Sequence, residues 1–397
     1  MLVTTKIVKT PSVERLLRLW AARYIPDLSS LYRDKVDPLS QEKLLKLTSA
    51  EGRALTADKL HQRLIEVRCQ LAGIQTQSLY AYIPNIVELS DTKKLTEVAF
   101  EVYVKLLEIY RRPSPNAPQI SPLSRENVEG ASLASWTNLV KQALGMPPIE
   151  ELATELEPVL LIFQKRHTEA KDWRTLGFIT TLLNFSNQLL SPKLTPLEQV
   201  LLKPYFKFVE EQVAHPWQRV CAAATQYPVD SLVFSIVEQM FPAAAEIAET
   251  VYSRLIQLLP NHISRRGRLT GPGITHSCIR DLQMFQAYFW LCFLQGSMAP
   301  IEDELVDLCA MVLPGVEVKW EMTELWNQLL AEEILERAMP NQRELLEPYT
   351  KWLQQAFFKQ QERFFVSTTN HQPILDLGDK DLLFRRKWLY EQSMVNG

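Results

Sequence analysis

The run Cys278-Ile279-Arg280-Asp281 places a nucleophile, a cation and a carboxylate within four residues. On a helix, positions 278, 281, 282, 285 and 288–289 fall close to one face. That face presents a thiol, a carboxylate and then the aromatics Phe285, Tyr288 and Phe289. A carboxylate between a thiol and an aromatic wall is an odd packing choice, because burying it is costly unless it is paired. Two readings follow. Either Arg280 or an arginine of the preceding loop, Arg265-Arg266-Gly267-Arg268, pairs with Asp281 and the site is structural, or the three groups together receive a flat, polar ligand.

Little else in the chain has the spacing that catalysis requires. There is no G-x-x-x-x-G-K-[ST] loop, H-E-x-x-H helix or G-x-S-x-G elbow. Six histidines, scattered along 397 residues, are thin material for a metal site or a general base. The five cysteines (Cys69, Cys221, Cys278, Cys292, Cys309) form no C-x-x-C and read as buried reduced thiols. Glycines 267, 271 and 273 read as a turn, and the Glu332/Glu333 pair as an exposed helix face. The expectation is a protein that is not an enzyme.

A net charge of −3 excludes a general polybasic mode toward nucleic acid or membrane. The local clusters Arg265-Arg266-Arg268 and Arg385-Arg386-Lys387 read as solvated or paired surface, so no nucleic-acid partner is expected. No apolar run approaches a bilayer span. The charged start (Lys6, Lys9, Glu14, Arg15) lacks the apolar segment of a secretory signal, which points to a cytoplasmic protein without a transmembrane segment.

The elements that must position the 278–281 run are helices. Leu95, Val98, Ala99, Val102, Leu106 and Ile109 recur at three- and four-residue steps, and Ile247, Val251, Leu255 and Leu258 repeat the pattern. Only Phe364–Thr368 reads as extended. The class is all-α. Pro113, Pro115, Pro118 and Pro122 make a linker at 113–122. Gly145-Met146-Pro147-Pro148 and Ser191-Pro192-Lys193-Leu194-Thr195-Pro196 mark further breaks. The division expected is an N-terminal helical domain (1–112), the linker, bridging helices (123–196), a second helical domain (197–363) and a C-terminal tail (364–397). Trp20, Tyr24, Tyr32 and the stretch from His61 to Ala72 read as core and capping features.

The stretch CIRDLQMFQAYFWLCFLQGSMAPIEDEL resembles the chromophore-helix region of the phycobiliprotein family: C-x-R-D, an aromatic-rich helix, then Gly, Pro and an acidic residue. Gly296 lies 15 residues and Pro300 19 residues beyond Asp281, in the family's register, and Arg265-Arg266 sits where the family places basic residues before its cysteine. The resemblance covers residues 197–363, under half the chain. It implies a globin-like, phycobiliprotein-type domain and a linear tetrapyrrole (bilin) as cofactor. Cys278 would be the thioether attachment residue and Asp281 the partner of the pyrrole N–H groups. Arg280 with Arg265 or Arg266 would hold the propionates, and Phe285, Tyr288, Trp320 or Trp326 would supply flat apolar contact.

The family's Tyr-Tyr-Leu-Arg is replaced here by Met284-Phe285-Gln286-Ala287, which removes the arginine that joins the family's subunits. The expectation is therefore a phycobiliprotein-like accessory protein of a photosynthetic cell, partnered by phycobilisome or other photosynthetic proteins, rather than a standard antenna subunit. The alternative is a pigment-free helical adaptor. Closure of the Cys278 pocket, with Asp281 satisfied by an arginine, would favour the adaptor.

Overall fold

A computed structural model describes residues 7–26, 43, 46–81, 89–112, 146–170 and 173–369. The chain is all-α apart from one two-residue hairpin among the described residues. The N-terminal half holds α1 (Pro11–Ala22), α2 (Ala50–Lys59), α3 (Gln62–Tyr80), α4 (Leu89–Tyr110), α5 (Ile149–Ala170) and α6 (Trp173–Leu190). Beyond it come α7 (Pro196–Ala214), α8 (Trp217–Ala224), α9 (Leu232–Met240), α10 (Ala244–Leu258) and the hairpin β1 (Ile263–Ser264)–β2 (Gly267–Arg268). The last helices are α11 (Pro272–Gln295), α12 (Val306–Val312), α13 (Trp320–Arg337) and α14 (Pro340–Thr369). None of these helices is long and apolar enough to cross a membrane, among the described residues.

Periodicity becomes packing as expected. Leu95, Val98, Ala99, Val102, Leu106 and Ile109 are all buried on α4, and Ile247, Val251 and Leu255 are fully buried on α10. Leu258, at the end of α10, is instead 44% exposed. Trp20 and Tyr24 are core, and His61 caps α3, its Nδ1 accepting from Leu64 N–H at 3.3 Å. Tyr32 and the proline-rich 113–122 segment lie outside the described residues.

Four expectations change. Residues Met1–Phe357 form one compact unit and Phe358–Gly397 a second, so the break read at Pro196 falls inside a unit. It is a turn between α6 and α7, closed by a capping box in which the Thr195 backbone N–H reaches Glu198 at 2.8 Å. The 265–268 loop is a hairpin, with Ser264 opposite Gly267. Phe364–Thr368 continues α14, because a short β-prone run preceded by good helix formers is carried along by propagation. Glu333 is buried rather than exposed, its carboxylate receiving Arg337 Nε at 2.8 Å.

Helix α7 ties the two halves of the first unit together through consecutive carboxylates. Successive helical side chains point about 100° apart. Glu210 therefore faces α6 and α11, where Asn184, Asn187, His276 and Arg280 reach it, while Glu211 faces Arg23 and Tyr24 beside α1. Both carboxylates are nearly fully buried.

Helix α11 carries the candidate site and is buried almost all round from Leu282 to Leu294. Pro272 begins it, where a missing N–H is harmless. Gly296 ends it at φ 65°, its N–H and that of Ser297 both meeting the Cys292 carbonyl. A methyl at 296 would meet nothing closer than Tyr349 Oη at 4.0 Å, so the only penalty for Gly296→Ala is the left-handed backbone. That substitution is expected to destabilise by about 1–2 kcal/mol, read as a lower urea midpoint with an unchanged slope.

Candidate ligand cavity at Cys278

A cavity of about 160 Å³ opens beside the first turns of α11. Five of the seven residues singled out from the sequence line it: Arg266, Cys278, Arg280, Asp281 and Phe285. The other two turn away. Arg265 pairs with Glu317 at 2.7 Å, and the Tyr288 hydroxyl donates to Glu304 at 3.1 Å beside Arg219. Of the tryptophans considered, Trp326 lines the cavity, whereas Trp320 stacks on Phe357 at 5.8 Å.

The polar side of the cavity is dominated by one arginine held between carboxylates. Arg280 donates from Nε and Nη2 to Asp281 Oδ1 at 2.8 and 2.6 Å, and from Nη1 to Glu210 Oε1 at 2.9 Å. Burial alone would push the Glu210 carboxyl up. His276 at 3.2 Å and Arg280 outweigh it and hold Glu210 down at about 2. The same two carboxylates outweigh the burial of Arg280 and raise its pKa, so the guanidinium stays charged.

Arg266 is placed differently. Its Nη1 donates to Ser277 Oγ at 3.0 Å and its guanidinium lies 5.4 Å over the Phe185 ring. It has no carboxylate within ion-pairing distance among the described residues. Burial, with the adjacent Arg280 cation, lowers its pKa. An anion in the cavity would find in Arg266 a cation with no acidic partner.

Cys278 is 8% exposed, and burial, reinforced by Asp281, pushes its thiol up to about 12. At neutral pH it is a protonated, poorly nucleophilic thiol. All five cysteines are buried and free, and Cys309 shares this cavity. Helices α11, α12 and α13 and the 313–318 segment all contribute apolar lining. Phe285 tilts against Trp326 at 5.1 Å and stacks on Phe357 at 5.5 Å. The Trp326 indole N–H is buried with no acceptor among the described residues. No group of three or more His, Cys, Asp or Glu could hold a metal ion there or elsewhere among the described residues.

Sequence reading missed the contribution of the N-terminal half. Leu79, Tyr80, Leu176, Gly177, Thr180 and Thr181, from α3 and α6, also line the cavity. These positions carry no motif, and nothing in one sequence pairs Tyr80 with Cys278. Glu210 had a signal, an acidic pair set in the otherwise apolar end of α7, that was passed over.

Compared with protein-family models, curated proteins and solved structures, the chain matches none.

The residues present suit a tetrapyrrole in chemistry: a thiol, flat aromatic walls, an arginine without an acidic partner and an orphaned indole donor. The volume sets a limit: at about 160 Å³ this partly open cavity is close to the roughly 150 Å³ that takes one benzene ring, so a longer ligand extends out of its mouth or displaces its walls.

Proposed function

We propose that this chain is a phycobiliprotein-like accessory protein, without enzymatic activity, whose globin-like C-terminal part holds a bilin attached to Cys278. The observation that carries this reading is the convergence of Cys278, Asp281, Arg266, Arg280 and Phe285, read from sequence as one site, on one cavity. In it, Arg266 would meet a ligand carboxylate, the packed pair Phe285 and Trp326 would offer apolar contact on one side, and Cys278 would supply the covalent link. Adding its S–H across a ligand carbon–carbon double bond forms one C–S and one C–H bond and needs no oxidant. Bound in this way, the group supplies visible absorption. Because the thiol is buried and protonated, attachment depends on a dedicated attaching enzyme rather than on self-activation. Its protein partners are other photosynthetic components.

Co-production with bilin synthesis and attaching enzymes, followed by zinc-enhanced fluorescence on a denaturing gel, tests the reading. The parent is expected to fluoresce and Cys278→Ala to be dark, with unchanged far-ultraviolet circular dichroism. A dark parent beside a fluorescent phycobiliprotein control sinks the assignment.

One observation favours the second reading, a pigment-free adaptor that binds partner proteins. Arg280 already satisfies Asp281, so neither group is free to hold a ligand without breaking the pair. Under that reading Arg280→Lys, which loses the forked geometry, disturbs partner capture without altering any pigment.

A further inference from the structure

The wall that α3 and α6 contribute to the Cys278 cavity carries a glycine and a pair of joined hydroxyls. Gly177 sits mid-helix, where glycine is less favourable than alanine by roughly 0.5–1 kcal/mol. A methyl there would lie 3.0 Å from Val312 Cγ2 and 3.2 Å from the Tyr80 hydroxyl oxygen, and all three residues line the cavity. The Tyr80 hydroxyl is hydrogen-bonded to Thr181 Oγ1 at 3.0 Å, so two hydroxyls meet at this wall, while that of Thr180 turns to the Leu176 carbonyl. Tyr80 lines the same cavity as Arg280, Asp281 and Arg266. Two hydroxyls joined to each other keep a donor or a lone pair for a third group.

We propose that α3 and α6 form the ligand-selecting wall of the Cys278 cavity. Gly177 sets the clearance, and the Tyr80–Thr181 hydroxyl pair receives an uncharged carbonyl-type group of a flat ligand whose carboxylate meets Arg266. The inference rests on the reading of this cavity as a ligand site, but it does not depend on the ligand being a tetrapyrrole. It makes residues of the N-terminal half part of the site, so that the helices around Cys278 alone are an incomplete receptor.

The test uses the full chain and the cavity's own thiol. N-ethylmaleimide labelling at Cys278 is followed by peptide mass spectrometry in the parent, Gly177→Val and Val312→Ala. Filling the wall in Gly177→Val is expected to slow Cys278 labelling by roughly tenfold, the scale of a modest overpacking penalty. Labelling at Cys69 and Cys221, which lie outside the cavity, stays unchanged. Val312→Ala, which widens the same gap, is expected to speed Cys278 labelling severalfold. A misfolded Gly177→Val would accelerate labelling at all five cysteines, the opposite sign, and Val312→Ala then decides. Equal Cys278 rates in the parent and Val312→Ala overturn the proposal.

A second arm loads phycocyanobilin onto the parent and Tyr80→Phe. Retained covalent pigment with a displaced absorption maximum supports the hydroxyl pair as a ligand contact, and an identical spectrum overturns that part. An unpigmented parent with the labelling pattern intact rejects the tetrapyrrole and leaves the wall in place.

Discussion

Glu211→Ala is expected to destabilise the protein by about 3–5 kcal/mol, the range for stripping one partner from a buried ion pair. Glu211 is 3% exposed and accepts from Arg23 Nη2 at 3.0 Å, Arg23 Nε at 3.3 Å and the Tyr24 hydroxyl at 2.8 Å. Lys207 lies 3.7 Å away. Burial pushes this carboxyl up, yet Arg23 and Lys207 overcome it and hold the pKa below the ordinary carboxylate range. Removing the carboxylate leaves the Arg23 guanidinium, about nine-tenths buried, facing Lys207 with no counter-charge. The loss is a desolvation penalty, so removing both charges is expected to recover most of it: Arg23→Met/Glu211→Met should be more stable than Glu211→Ala. Urea unfolding of the three proteins checks this. A double variant no more stable than Glu211→Ala would show that the pair acts otherwise than through its isolated charges.

The second large effect is in acid. His215, at the end of α7, is completely buried against Trp20, their rings 5.8 Å apart, and neither ring nitrogen has a hydrogen-bond partner among the described residues. Burial lowers its pKa to about 3. Glu211, with Oε2 3.9 Å from Nδ1, opposes that shift, while Arg23 and Arg280 add to it. The ordinary histidine value is about 6.5. Between these limits the unfolded chain binds a proton that the folded protein refuses, so stability falls as pH drops from about 6.5 toward 3. The slope is about 1.4 kcal/mol per pH unit.

Glu210 and Glu211 act from the acid end of this window downward. Their depressed carboxyls stabilise above the unfolded value of roughly 4.3, and that contribution is lost as pH falls further. His262, also lowered by burial, adds to the histidine slope, so the difference between parent and variant isolates His215. His215→Leu is expected to gain about 2 kcal/mol on the parent between pH 6.5 and 5. It also relieves two orphaned nitrogens, each costing about 1–3 kcal/mol. Urea midpoints at pH 7.5 and 5.0 measure both. Parallel pH slopes in parent and variant would contradict a buried neutral His215.

The amphipathic faces of α4 and α10 were legible because burial repeats at the helical period, and the Cys278 face was legible because its chemistry lies within one helix. Arg266 and Arg280 were drawn into the site by sequence neighbourhood, yet their states were not. Arg280 was one of the partners offered for Asp281, but that it also reaches Glu210 on α7 is a matter of packing 70 residues away. The same limit hid the α3–α6 wall. Composition at Ser191–Pro196 looked like a domain boundary because proline and small polar residues mark any tight turn. The Lys59–Glu198 ion pair and the buried Arg53–Tyr205 hydrogen bond reveal that the chain continues to pack across it.

Helix α1 also orders events in time. Its partners are far downstream: Ser12 donates to the Tyr227 carbonyl, Arg15 pairs with Glu238, and Arg23 reaches Gln283, separations of 215, 223 and 260 residues. Chains emerge from the ribosome at roughly 5–20 residues per second, so the apolar face of Val13, Leu16, Leu17 and Trp20 waits on the order of ten to fifty seconds for its seat. Contacts this distant also carry the largest loop-closure penalty. The helix made earliest among those described is thus the one that docks late, and its apolar face is the surface a nascent chain must keep shielded until then.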